Sequence, residues 1–572
     1  MNFEKCLEGK AVSAGFAVGP VFVYSPFEPV LSGGKLDSGE IHASRGRYLE
    51  LKCEAEDELS EIYRLLSQDN PEKAKIFAAH QDILYDEAID EGVYNAIDRG
   101  EPVDCAVNDV YTGFMEMLAK NKNPRIRERA DDIRDVRNRL LRIYAGLPEK
   151  NLSSLTRPVI IAARDLLPSD TATLDRRNTL AIVTEVGGET SHSAIIAKSY
   201  EIPALLGISG LMSALGENDY AAVDGEKGIL TLNPQQATID EYELKQAEYK
   251  KVAEESRLWR EKIPMTADGV RIQVQLNIGT ASHQELEFAE YVDGVGLFRT
   301  EFLYLGRDSL PVEDVQYDVY RKVLEAFGNK PVTLRTLDIG GDKQLGCLNL
   351  PREDNPFLGN RALRLCLSRS DVFRVQLRAA LRAGLHGNLR IMFPMVGSID
   401  DIKSAKQAVA DAARSLREDC VAFDENVELG IMIEIPSIAL MADKVAQIVD
   451  FASIGTNDLC QYLLAADRMN PAVASYYQSY HPSLMRLISL VAQAFKREGK
   501  DLCICGELGG DARAVPLLVG LGLGSLSMGA SSLGGCKKAI CELTIKCAES
   551  IAREALECAT AQDVERAAKY WR

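Results

Sequence analysis

From about residue 263 to the C-terminus one unit recurs: a short apolar strand, a polar tip, then an amphipathic helix. The candidate strands are 271–276, 294–298, 332–334, 389–393, 428–433, 451–454, 502–505 and 526–528. Helical periodicity falls between them at 312–327, 362–383, 402–416 and 484–498. Parallel strands need a long crossover, usually a helix, so this alternation selects a parallel sheet. Eight units fit a closed TIM (β/α)8 barrel, with an open doubly wound sheet as the alternative. No other stretch constrains the fold as much.

A barrel presents its functional side chains at the C-terminal ends of its strands. Asn277 follows the first candidate strand and Arg299 the second. Arg335, Asp338 and Lys343 follow the third, Glu434 the fifth, Asn457 and Asp458 the sixth, and Cys505 the seventh; Arg468 lies a little beyond Asp458. Singly, each has an ordinary explanation: a surface ion pair, a helix cap, a packing thiol. Together they pair cations suited to phosphate and carboxylate oxygens with two hard oxygen ligands, Glu434 and Asp458, suited to Mg²⁺. Cys505 can move a proton beside a carbanion or enolate. The expected ligand is a small, multiply anionic metabolite bound with Mg²⁺. Cys503 and Cys505 are read as facing opposite sides of their strand, a poor metal pair.

The chain before the barrel divides by pattern. Residues 1–25 and 147–234 alternate strands and helices, residues 26–146 carry helical periodicity in about four segments, and residues 235–262 read as a charged linker helix. The helical segments are 49–66, 73–92, 104–121 and 126–144, and the first strands are 10–19 and 21–24. Within the α/β part, the apolar run 180–183 leads through Gly187 and Gly188 to His192, with Thr190 or Ser191 as helix N-cap. Free N–H groups at a helix start favour an anion, which suits an imidazole that becomes phosphorylated; a surface histidine near a cap is the plain alternative.

Composition excludes some classes. A net charge of −18 argues against general nucleic-acid binding. No apolar run nears the roughly 18 residues of a membrane span, and the N-terminus lacks a signal-peptide core, so a cytoplasmic protein is expected. The 13 cysteines are scattered without paired C-x-x-C spacing, which predicts reduced thiols.

Six motifs carry a resemblance: Gly187-Gly-Glu-Thr-Ser-His-Ser193, Gly296-Leu-Phe-Arg-Thr-Glu-Phe302, the run from Arg335 to Lys343, Asn355-Pro-Phe-Leu-Gly359, the run from Asp450 to Gln461, and Cys505-Gly-Glu-Leu-Gly-Gly-Asp511. The sequence resembles the enzyme I family of the phosphoenolpyruvate:sugar phosphotransferase system over nearly its whole length. The resemblance implies a swivelling phosphohistidine α/β domain with an inserted helical bundle, followed by a barrel that binds phosphoenolpyruvate and Mg²⁺ and forms a homodimer. It implies that His192 takes the phosphoryl group at Nε2 and passes it to the phosphocarrier protein HPr, docked on the helical bundle. Arg299, Arg335 and Lys343 would stabilise the transferring group, Asn457, Asp458 and Arg468 would hold substrate, Glu434 and Asp458 the metal, and Cys505 would protonate the enolate. The sequence departs from the family pattern at Leu167, Glu189, Lys198 and Ile435. Pyruvate phosphate dikinases share the histidine domain and barrel, but they need a large nucleotide-binding domain, and no G-x-x-x-x-G-K-[ST] loop is present. A regulatory phosphoprotein and a barrel lyase are the rival classes; the lyase leaves His192 and the helical bundle without a role.

Overall fold

The computed structural model describes residues 4–24, 27, 29–37, 39–69, 71–119, 124–147, 152, 155, 157–166, 170, 174–187, 193–194, 196–197, 202–216, 219–304, 309–340, 348, 351 and 353–569. It divides into two compact units, residues 1–252 and 253–572. None of the described helices is long and apolar enough to cross a membrane.

In the first unit, β1 (Lys5–Glu8), β2 (Lys10–Ser13) and β3 (Phe16–Tyr24) join β4 (Val159–Ala163), β5 (Thr179–Thr184), β6 (Ala204–Leu206), β7 (Tyr220–Asp224) and β8 (Ile229–Leu232). They form one sheet in the order β1-β8-β7-β3-β4-β5-β6-β2, so strands from either side of the helical insertion are hydrogen-bonded neighbours. The single strand expected over 10–19 is two strands. Gly15, at φ +121, breaks it, and β3 then runs on through Pro20 to Tyr24. The hairpin of β7 and β8 turns at residues 225–228 as its glycines require.

The insertion holds five described helices: Ile41–Asp69, Pro71–Leu84, Glu87–Asp98, Val103–Ala119 and Pro124–Tyr144. The expected helix over 73–92 is broken at Asp86. Its carboxylate accepts from the backbone N–H of Ala88 and Ile89, so it starts a new helix instead of continuing the old one. These helices bury a core of their own, with Tyr48, Leu59, Phe77 and Tyr111 at its centre. A further helix, Gln236–Arg260, is mostly exposed; it is anchored by Tyr242 and Tyr249, whose rings meet Phe16 edge-to-face at 6.2 and 6.0 Å.

The second unit is the TIM barrel. Its strands are β9 (Gln273–Ile278), β10 (Val295–Arg299), β11 (Pro331–Arg335), β12 (Asn388–Phe393), β13 (Glu428–Ile433), β14 (Phe451–Ile454), β15 (Asp501–Ile504) and β16 (Ser525–Met528). All pair in parallel, and β16 closes onto β9. Each expected strand is present within two residues. The helix expected over 362–383 is interrupted at Arg369, giving Leu363–Ser368 and Ser370–Ala383.

Strand alternation explains what faces where. Val332 and Leu334 of β11, like Leu389 and Ile391 of β12, join the large core between strands and helices. The inward positions differ: Leu297, Met392, Met432, Phe451 and Cys505 form a small separate apolar cluster, while Gln275, Thr333, Arg335 and Ser453 are buried and polar.

Two helices of the outer layer meet closely at Gly520, where a Cβ would lie 2.0 Å from the Ala548 carbonyl oxygen and 2.9 Å from the Ala552 Cβ. Gly520→Ala is therefore expected to destabilise the barrel by about 1–3 kcal/mol, read as a lower calorimetric unfolding midpoint. An unchanged midpoint would mean that the two helices separate at no cost.

Candidate active site

The C-terminal ends of the strands converge on a ladder of buried charges. Arg335 closes β11 and is paired across the sheet with Arg299, the last residue of β10; both stand on their strands, not after them. The Arg335 side chain is almost fully buried. Its Nη2 donates to Glu301 Oε1 at 2.6 Å and its Nη1 lies 3.0 Å from Asp338 Oδ2. Asp338 in turn accepts from Arg361 Nη2 at 3.0 Å. Arg361 lies 3.6 Å from Asp458, and Asp458 lies 3.7 Å from Arg468 at the half-exposed end. Burial works to lower the Arg335 pKa, but Glu301, Asp338 and Glu434 more than offset it, so the guanidinium stays charged.

Glu434 follows β13 and is also buried. It accepts a 2.6 Å hydrogen bond from the Met395 backbone N–H, which Met395 presents from a left-handed conformation at φ +55. Gly455, which follows β14, leaves room beside it; a Cβ there would lie 2.9 Å from Glu434 Oε2. Burial, then Asp458 and Asp338, push the Glu434 carboxyl up to about 8, with Arg335 and Arg361 opposing. A buried carboxylate held near other carboxylates is relieved by a cation, so Glu434 and Asp458 fit a divalent metal chemically. Among the described residues no group of three His, Cys, Asp or Glu side chains is set to hold one. Mg²⁺ commonly takes one or two carboxylates and completes its shell with water and substrate oxygens.

Cys505 follows β15. Its thiol lies 3.7 Å from the Ile454 carbonyl oxygen, and burial pushes its pKa up to about 11, so it keeps its proton at neutral pH. Asn277 donates to the Cys505 carbonyl oxygen at 3.1 Å and accepts from Ser527 at 2.6 Å, fixing this strand end. Cys503 and Cys505 share the interior face, since residues two apart on a strand point the same way; both thiols interact with Ser453. This corrects the expectation of opposite faces. Asn457 uses its side-chain oxygen on the Glu507 N–H at 3.0 Å, which leaves its NH₂ to donate. Arg299 is exposed, and its charge is felt at Cys505.

Arg299, Arg335, Glu434, Asp458, Arg468 and Cys505 are thus linked at one end of the barrel. His192 and Lys343 lie outside the described residues, as do Leu167, Glu189 and Lys198. Sequence reasoning missed Glu301, Arg361 and Tyr462. Arg361 stands two residues after the Asn355–Gly359 motif and lies over the Phe357 ring at 5.6 Å; Tyr462 bonds Arg361 and the Phe357 carbonyl at 3.2 and 2.6 Å. That motif was the signal, because an arginine just past it had to point somewhere.

Comparison with known proteins gives the same picture in each part of the chain. Residues 253–545 match the family described as PEP-utilising enzyme, PEP-binding domain; residues 155–228 match its mobile domain and residues 8–129 its N-terminal domain. The chain is 42% identical over 565 residues to proteins from Bacillus sp. (strain S) and Geobacillus stearothermophilus, each named phosphoenolpyruvate-protein phosphotransferase. The matches cover 98% of this chain and 97% of theirs. A protein of the same name from Listeria innocua is 41% identical over 572 residues, covering 98% of each chain.

An acid whose pKa is higher folded than unfolded costs no stability below its unfolded value and its full cost above the folded one. For Glu434 that cost enters as pH rises from the ordinary 4.5 through about 8. In the presence of a metal chelator, Glu434→Gln should therefore raise the unfolding midpoint relative to the parent, with a gap that widens between about pH 5 and pH 9. A gap that is constant or shrinks with pH would contradict the raised pKa.

Proposed function

The chain belongs to the phosphoenolpyruvate-protein phosphotransferases, and on that premise we propose that it moves the phosphoryl group of phosphoenolpyruvate onto His192 and then onto the histidine of HPr, in the cytoplasm, as the first step of phosphotransferase-system sugar uptake. The observation that carries this reading is the buried ladder from Glu301 through Arg335, Asp338, Arg361 and Asp458 to Arg468, beside Glu434. It places fixed positive charge next to hard oxygen ligands, which is what a carboxylate and phosphate on one small substrate require.

In this reading Arg299, Arg335 and Lys343 meet the phosphoryl oxygens, while Asn457 and Arg468 hold the rest of the substrate, Arg468 at its carboxylate. Asp458, which lies beside Arg361 and Arg468, positions the latter. Glu434 and Asp458 hold Mg²⁺, which when bound neutralises charge on substrate oxygens. The neutral His192 Nε2 lone pair forms the new P–N bond as the P–O bond to the enol breaks, and pyruvate enolate leaves. The Cys505 thiol gives its proton to the enolate carbon, and the resulting thiolate takes a proton back from water. A thiol pKa of about 11 keeps that proton available at neutral pH. His192 must be neutral to attack, so the rate falls as pH drops through the imidazole pKa.

The reading assigns residues 1–25 and 147–234 to the phosphohistidine domain, 26–146 to HPr docking, 235–262 to a linker and 263–572 to the phosphoenolpyruvate-binding and dimerisation domain. The helical insertion exposes Leu49, Tyr63 and Tyr85 among acidic side chains, a mixed surface that a basic carrier protein would fit. Leu440, Met441, Met469 and Tyr476 are exposed on the segments after β13 and β14, which supports association of two barrels.

The decisive measurement follows phosphorus label from phosphoenolpyruvate to the purified chain and on to HPr. Label should reach His192 and chase to HPr; label that stays on His192 would exclude HPr as acceptor, and His192→Ala should take up none. Cys505→Ala is expected to lower kcat by about 100-fold or more with little change in KM. A selective rise in KM would assign Cys505 to binding.

A further inference from the structure

The barrel also has a half-open cavity of about 380 Å³ at the N-terminal ends of its strands, the end away from Arg335 and Glu434. Barrel interiors are ordinarily filled by layers of branched apolar side chains. Here Gln275, Thr333, Ser453 and Ser525 line the space, each more than nine-tenths buried. The Ser453 and Ser525 hydroxyls find no hydrogen-bond partner among oxygen and nitrogen atoms; they lie against the Cys503 thiol, which is only a weak partner. Buried hydroxyls with unused capacity imply a partner that fills the space beside them.

The rim is cationic. Arg271 is ion-paired with Asp293, and Arg390 lies 2.6 Å from Glu428 and 3.1 Å from Asp501, so these two charges are answered within the fold. Lys496 and Lys500 also line the cavity, and no carboxylate among the described residues pairs with them. Two unanswered ammonium groups above a wall of hydroxyls and an amide suit a ligand that is dianionic at one end and hydroxylated at the other. A phosphate monoester carries about 1.5 to 2 negative charges at neutral pH. The volume is near the lower end of small-molecule pockets, roughly 300–1,000 Å³, which limits the ligand to about three to five carbons.

We propose that this cavity is a second small-molecule site, which takes a short polyol phosphate monoester with its hydroxyls against Ser453, Ser525 and Thr333 and its phosphate at Lys496 and Lys500. The site uses neither His192 nor Arg335, Glu434, Asp458 or Arg468, and although Ser453 also lies against Cys505, its ligand contacts are tested separately from the proposed phosphoryl transfer.

Titration calorimetry on the full chain, with ribose 5-phosphate and with glycerol 3-phosphate, tests it. Saturable one-to-one binding of at least one ester is expected, unchanged by saturating phosphoenolpyruvate. The double variant Lys496→Ala/Lys500→Ala should weaken it at least tenfold, and Ser525→Ala should weaken it severalfold. The lysines are surface residues whose loss does not threaten folding, so lost binding would report on the site itself. No saturable heat from either ester would leave the cavity filled by water alone. Inorganic phosphate binding as tightly as the esters would mean an adventitious ion only. Displacement by phosphoenolpyruvate would move the esters to the other mouth. Each of these three results overturns the proposal.

Discussion

A guanidinium inside a barrel is tolerable only if carboxylates meet it, and Arg335 is the point on which the active end of this molecule depends. Its partners come from separate segments: Glu301 from the turn after β10, and Asp338 from the segment after β11. Removing both partners would strand a buried charge, at about 3–5 kcal/mol. The ladder therefore aligns several strand ends at once. Asp338 reaches Arg361 and Arg361 reaches Asp458, so the segments after β11 and β14 are tied by the same set of contacts.

The ladder does not neutralise everything. Glu434 meets a backbone N–H and two neighbouring carboxylates, and burial raises its pKa to about 8 despite the opposing charges of Arg335 and Arg361. An end of the barrel that combines a carboxyl ready to give up its proton for a cation with fixed positive charge at several arginines is suited to a cation and an anion arriving together. Cys505, also buried and with a raised pKa, keeps its proton at neutral pH. Its neighbour Ser453 stands between it and Cys503, so the inward face of β14 links the two ends of the barrel.

Polarity inside the barrel follows from strand alternation. Outward positions must meet helices and are apolar; inward ones at the two ends meet space that a ligand or water can enter. The small apolar cluster of Leu297, Met392, Met432, Phe451 and Cys505 lies between the polar groups of the two ends, with Ser453 beside it touching both thiols. That division lets one barrel carry one chemistry at its C-terminal mouth and different polar groups at its base.

The eight strands were legible in the sequence because apolar runs bounded by polar tips are a local pattern, and local patterns survive folding within a residue or two. Arg335, Glu434, Asp458 and Cys505 were legible for the same reason, as side chains just at or past strand ends. Local reading failed where a side chain competes with the periodicity, as Asp86 does by capping a new helix inside a continuous helical pattern. It also failed where function comes from distance. Motifs mark the neighbourhoods of Glu301 and Arg361 but not the charges they meet, and nothing near Met395 shows that its strained backbone holds Glu434. Sequence alone determined the architecture and which polar side chains stand at the strand ends, since both rest on period and residue type. Tertiary structure alone decided which charges answer each other, because a buried ion pair is a property of two segments and neither contains it.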